Sequence, residues 1–365
     1  MIDGRPHHHA LAVELTSACN QKCAYCYNAW REDDGREVGA LPSATLITLL
    51  DRTLRETRFD HLTFTGGEPF SRRDLFDILD VCVRHQTPFQ MISNGGLITD
   101  AHATRLALYK PLSVQVTLNA PEAVMHDEVV GGEGHFERTL RGIRTLMHHN
   151  IRVVGCVVVT RKNASLVGET LDLFASLGVR SISFSRFSPS GYSSTHAAAL
   201  LPSRTDILIA LEAANARAEL HGLSIQSTMP IPPCVVEPDD YPRVRFGSCP
   251  IGTSTQEFAL GPRGELRNCT LHEAPLGDAL IESAASILRA PAVMHYRDVT
   301  PEFCAPCPHA STCMGGCGAA SVALTGVRGL DPFVAQHIDP AMAAQLAEAR
   351  RAETALVSVA SLVRR

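Results

Sequence analysis

Between residues 10 and 200 the chain alternates short, continuous apolar runs with longer stretches whose apolar residues recur every three to four positions. The runs LAVEL (11–15), HLTFT (61–65), PFQMIS (88–93), LSVQVTL (112–118), VVGCVVV (153–159) and RSISFS (180–185) predict six buried strands. The stretches SATLITLLDRTLRET, RDLFDILDVCVRH, DAHATRLALY, FERTLRGIRTLMHH and ASLVGETLDLFASLG predict helices between them. Ser43, Ser71 and Thr99 stand where helix caps belong, and Gly178 follows a helix as a stop. Repeats of strand then helix predict an α/β fold of parallel strands with right-handed crossovers.

Past residue 200 the pattern changes. Residues 200–222 predict a helix, the proline-rich segment MPIPPCVVEPDDYP marks a boundary, and Gly261-Pro262-Arg263-Gly264 predicts a hairpin turn that brings Cys249 and Cys269 together. The tail AMAAQLAEARRAETALVSVASLV predicts a helix that packs on the body or on a second subunit. The expected domains are 10–200, a helical bridge at 201–235, a cysteine-rich α+β unit at 236–337 and a C-terminal helix at 338–365.

Composition narrows the class. A chain of 365 residues, 45% hydrophobic and 19% charged, is long enough for about two domains. A net charge of -5 argues against a nucleic-acid surface. No run of eighteen apolar residues predicts a membrane span. The start MIDGRPHHHALAVEL lacks the features of a secretory signal, so the expected location is the cytoplasm. Twelve cysteines there point to metal rather than to disulfides.

Cys19, Cys23 and Cys26 fall in CxxxCxxC spacing, which offers three thiolates to one compact site. A four-iron cube held by three cysteines keeps one iron open for a ligand. Zinc is the competing reading, and His7, His8 and His9 are the residues that would complete a zinc site. Cys304, Cys307, Cys313 and Cys317 follow the pattern CxxCxxxxxCxxxC, with Cys249 and Cys269 upstream. Six cysteines in about seventy residues imply a metal-organised region, either iron-sulfur or a zinc ribbon. Cys82 and Cys156 fall in apolar elements and read as inert core thiols.

The run ELTSACNQKCAYCY resembles the start of the radical S-adenosylmethionine (radical SAM) superfamily, with Tyr25 in the aromatic place of its motif. The resemblance implies a partial (β/α)6 barrel of TIM type. It also implies a 4Fe-4S cluster whose open iron chelates S-adenosylmethionine, and reductive cleavage of that cofactor to a 5'-deoxyadenosyl radical that takes hydrogen from a substrate. By the same resemblance Gly66, Gly67 and Glu68 meet the amino end of S-adenosylmethionine. Ser93, Asn94, Thr117 and Asn119 are expected near its ribose, and Arg186, in RFSPSG, is expected at its carboxylate. Taken by residue type alone, the glycine pair is also ordinary turn chemistry, Asn94-Gly95 a common turn, and Arg186 a salt bridge closing the barrel.

The C-terminal cysteines resemble the SPASM extension, which holds auxiliary iron-sulfur clusters. That family pairing gives Cys304, Cys307 and Cys313 to one cluster and Cys249, Cys269 and Cys317 to the other. The family's last cysteine commonly follows an Asp-Pro pair, but Asp331-Pro332-Phe333-Val334 continues without one. Asp331, His337 or Cys234 would replace it, or the cluster is open or absent.

The resemblance implies an enzyme that oxidises or cross-links a peptide or protein side chain, with an external reductant of flavodoxin or ferredoxin type. The barrel begins within about ten residues of the N-terminus, so leader-peptide recognition is expected from a separate protein or from direct binding. A small-molecule substrate, such as an aminocyclitol or a tetrapyrrole, is the second reading. A non-catalytic electron carrier or zinc-binding interaction protein is the third.

Overall fold

A computed structural model of the chain describes residues 4–28, 30, 31 and 39–338. The C-terminal helix expected at 338–365 lies almost wholly outside the described residues. Six parallel strands form where the apolar runs predict them: β1 His7–Glu14, β2 Arg58–Thr65, β3 Phe89–Ser93, β4 Val114–Thr117, β5 Val153–Val159 and β6 Ser181–Arg186. Their crossovers are the helices α1 Ser43–Glu56, α2 Leu75–His85, α3 Asp100–Tyr109, α4 Ala123–Val130, α5 His135–His148 and α6 Val167–Ser176. One core joins the two layers, with Leu11, Leu62, Met91, Val114 and Val157 from the strands against Leu50, Ile78, Leu106, Ile143 and Phe174 from the helices.

Two of the expected caps do other work. Thr99 caps α3 and forms a reciprocal pair with His102, but Ser71 lies in a short 3-10 turn and donates to the Glu68 carbonyl. Ser43 is the first residue of α1 and binds Asp74, the residue just before α2.

The sheet does not stop at residue 200. Helix α7, Arg204–His221, leads to β7 Ser224–Ser227 and β8 Val244–Arg245, which extend the sheet in parallel beyond β6. On the other side β9 Glu257–Leu260 pairs in parallel with β1, and β10 Glu265–Arg267 and β11 Pro275–Asp278 follow antiparallel. The strand order is β11-β10-β9-β1-β2-β3-β4-β5-β6-β7-β8. The hairpin predicted at Gly261–Gly264 joins β9 to β10, closed by Gly261 N–H donating to the Glu265 carbonyl at 2.8 Å.

Two buried ion pairs tie the cysteine-rich region to the barrel. Arg267 on β10 binds Glu14 on β1, and Arg186 at the end of β6 binds Asp331 at 2.6 Å. All four side chains are within 2% of full burial. Among the described residues no helix is long and apolar enough to cross a membrane.

Candidate active site and cysteine clusters

The loop after β1 lies across the C-terminal ends of β1 to β4, where parallel strands present loops to a ligand. It places Cys19, Cys23 and Cys26 around one cavity, whose wall also includes Tyr25, Gly66, Gly67, Ser93, Asn94 and Thr117. The glycines are needed because two loops lie against each other. Gly67 N–H donates to the Thr16 carbonyl at 2.7 Å, and Glu68 N–H to the Ala18 carbonyl at 2.8 Å. A Cβ on Gly67 would stand 2.1 Å from the Ala18 oxygen, and Gly66 has φ +121°. The pair therefore lets the second loop seat the cysteine loop, backbone on backbone.

Burial and neighbouring groups disfavour the ionisation of Cys19 and Cys23. Burial first, then the Glu68 carboxyl, pushes Cys19 up to about 12. Burial, then Cys19 and Cys26, pushes Cys23 well up. Asn94 Nδ2 reaches the Cys19 sulfur at 3.7 Å, Gln21 N–H donates to it at 3.4 Å, and Cys23 donates to Gln21 Oε1 at 3.3 Å. Gln21 Nε2 and Asn28 Oδ1, in residues that line the cavity, are buried without a hydrogen-bond partner.

The other cysteines form two groups. Cys234, Cys304, Cys307 and Cys313 line one small cavity with Pro232, Phe303 and Val334. Burial, then Cys313, Cys234 and Cys307, pushes Cys304 up to about 12. Cys249, Cys269 and Cys317 form the second group, and burial, then Cys317 and Cys249, pushes Cys269 up to about 12. Beside this group His272 meets the Tyr296 ring edge-on, centroids 6.1 Å apart. All twelve cysteines are free of disulfides.

The sequence pattern described as the Radical SAM superfamily matches residues 13–185. This span runs from the end of β1 through the cysteine loop and β2 to β5 into β6. The chain carries a radical SAM domain. It is 26% identical to the PqqA peptide cyclase of Methylocella silvestris over 338 residues, covering 90% of this chain and 87% of that protein. It is 27% identical to the mycofactocin maturase MftC of Mycobacterium tuberculosis over 348 residues, covering 91% of this chain and 84% of that protein. Its fold matches the crystal structure of Streptococcus suis SuiB bound to S-adenosylmethionine with a TM-score of 0.71. That match has 15% identity and covers 90% of this chain and 77% of SuiB.

A radical SAM enzyme uses a 4Fe-4S cluster and S-adenosylmethionine, and the first cavity fits both. Three crowded, part-buried thiols share this cavity, and two buried polar atoms in its wall lack a partner. A bound cation reverses the local penalty on thiolates. Among the described residues no three Cys, His, Asp or Glu side chains close on a single-ion site. A cube instead presents a separate iron to each thiolate. His7, His8 and His9 open β1, roughly 17–23 Å of strand from its far end where the cysteine loop begins. They are too far away to complete a zinc site there.

Three sequence-derived assignments need correction. The Arg186 guanidinium is fully buried and donates to Asp331 at 2.6 Å and to the Pro230 and Phe187 carbonyls at 3.1 Å, stacked on Phe333. It does not line the cavity, so it is the barrel-closing salt bridge and not a carboxylate receptor. Glu68 also turns away from the cavity. Its carboxylate accepts from Phe70 N–H, Ser93 Oγ and Asn94 N–H at 2.8–3.1 Å, bracing the end of β3, while burial raises it to about 7. Asp331 is committed to Arg186 and to the N–H groups of Cys317 and Phe333, each at 2.8 Å, which leaves it unsuited to an iron ligand.

His337 packs against Phe333 and does not line the Cys304 cavity. Asn119 lies just outside the first cavity wall. It is buried, with its side-chain oxygen accepting from Val158 N–H at 2.9 Å.

Arg31 is the residue that sequence reasoning missed. It lines the first cavity with Cys26 and stands over the Tyr192 ring at 4.7 Å. Its only sequence signal is a cation five residues after the motif. Trp30 lines the same cavity and donates to Glu14 at 2.8 Å.

Proposed function

We propose that this radical SAM enzyme is a maturase that oxidatively modifies or cross-links a side chain of a peptide or protein. The observation that carries this reading is similarity over nearly the full chain to a peptide cyclase and a mycofactocin maturase. The shape of the mouth supports it. Trp30 lines both the thiol cavity and an open surface depression edged by Arg263, Glu265, Glu273 and Asp278. An extended peptide suits such a margin, whereas a small ring molecule suits an enclosed pocket.

The cluster and S-adenosylmethionine, when bound, supply reductive cleavage and hydrogen-atom abstraction. The protein's work is to hold and orient them. Cys19, Cys23 and Cys26 would hold the cluster, and Gly66, Gly67, Ser93, Asn94 and Thr117 would border the cofactor, with Tyr25 against it. Glu68 and Asn119 act through these neighbours as positioning residues. With Arg186 committed elsewhere, Arg31 is the cation placed to receive the cofactor's carboxylate.

Arg31→Ala is expected to weaken S-adenosylmethionine binding about 10- to 100-fold, the loss of a charge-assisted hydrogen bond of about 1.5–3 kcal/mol. Iron content should stay unchanged, and equilibrium binding with iron analysis checks both. Unaltered affinity would remove Arg31 from the site.

The C-terminal cysteine groups would hold auxiliary clusters that accept the electron released when the substrate radical is oxidised. An external one-electron reductant of flavodoxin or ferredoxin type completes the cycle, and a separate protein would deliver the peptide's leader. We place the enzyme in the cytoplasm, where twelve free thiols stay reduced. The test is anaerobic incubation of the reduced enzyme with S-adenosylmethionine and a short peptide encoded beside it. A peptide mass lower by two hydrogens per turnover is expected. An unchanged peptide, with turnover of an aminocyclitol or tetrapyrrole instead, would favour the small-molecule reading.

A further inference from the structure

We propose that Cys234, on the proline-rich bridge, is the fourth thiolate of the cluster held by Cys304, Cys307 and Cys313, in place of the C-terminal cysteine this chain lacks. This deepens the reading of the C-terminal groups as cluster sites and rests on it. Four thiols share one cavity although Cys234 lies seventy residues before Cys304 in the chain. The bridge is fixed where it carries this thiol. Val235 N–H donates to the Pro232 carbonyl at 2.9 Å, Arg204 Nε donates to the Val235 carbonyl at 2.7 Å, and Val235 and Val236 are buried.

The competing ligands are otherwise placed. Asp331 is held by Arg186 and two backbone N–H groups. Val334, in the segment after the Asp-Pro pair, presents an aliphatic side chain to the cavity. His309 borders the cavity but is exposed.

Four thiolates leave no coordination position vacant, so this cluster would carry electrons without binding substrate. The Cys249, Cys269 and Cys317 group keeps three thiolates, and any ligand exchange would belong there. The bridge would also be clamped to the cysteine-rich region by a metal-thiolate bond, making its order depend on the cluster.

The test uses the full chain carrying Cys19→Ala, Cys23→Ala and Cys26→Ala, so that iron, sulfide and electron paramagnetic resonance report only the C-terminal clusters. After anaerobic reconstitution, Cys234→Ala is expected to lose one cluster's share of iron and sulfide, as Cys307→Ala does, and the double variant to lose no more. Cys234→Ser should retain iron with shifted resonance values, which reads out ligation without relying on a cavity-forming change. Cys82→Ala, a core thiol, and His309→Ala should keep all iron. Full iron and an unshifted spectrum in both Cys234 variants, with loss in Cys307→Ala, would overturn the proposal. Because metal and spectrum are read without S-adenosylmethionine turnover, failure of the maturase reading leaves this result standing.

Discussion

Alanine at Cys19, Cys23 or Cys26 is expected to reduce 5'-deoxyadenosine formation to the level of an iron-free control. Each thiolate of a three-cysteine set binds its own iron, and none of the cavity's other side chains is a thiol that would take its place. Substituting one would leave only two thiolates in this cavity to hold the cluster. The loss should therefore be complete in each single variant and no greater in the triple variant, since residues acting as one unit are not additive. Chromatographic quantitation of 5'-deoxyadenosine checks this, and appreciable product from any of the three would place the reactive cluster elsewhere.

The second large effect concerns stability. Removing one member of a buried ion pair leaves a charge without a partner and costs about 3–5 kcal/mol. Arg186 and Asp331 are both fully buried, so Arg186→Met alone and Asp331→Asn alone should each destabilise the fold by about that amount. The double variant removes both charges, although Asn keeps a side-chain oxygen for only one of the Cys317 and Phe333 N–H groups, which Asp331 accepts on separate oxygens. It should recover most of the loss, a coupling that distant sites do not show. Anaerobic urea unfolding followed by circular dichroism provides the comparison. Strictly additive losses would mean that the two residues act separately and that the pair does not tie the barrel to the cysteine-rich region.

The barrel was legible because its strands are continuous apolar runs and its helices have well-separated apolar faces. Helix Ala123–Val130 was not, since only His126, Val129 and Val130 of its eight residues are buried. The parallel pairing of β9 with β1 was also hidden, because it joins residues nearly 250 positions apart and depends on tertiary packing. The same separation in sequence divides the site. Cys19, Cys23 and Cys26 are readable because their spacing is local. Arg186 was assigned to the cofactor because its partner lies 145 residues away, and a buried guanidinium reads in sequence like an exposed one. Arg31 was missed for the converse reason, since only the path of the loop turns it into the cavity.

On the proposed function, three thiolates hold an iron-sulfur cluster at which S-adenosylmethionine is reductively cleaved. The most direct test is the anaerobically reconstituted wild-type protein, reduced with dithionite and incubated with S-adenosylmethionine, with metal content determined on the same sample. The account predicts a brown, iron-loaded protein that yields 5'-deoxyadenosine and methionine. A colourless protein loaded with zinc, forming neither product, would contradict it.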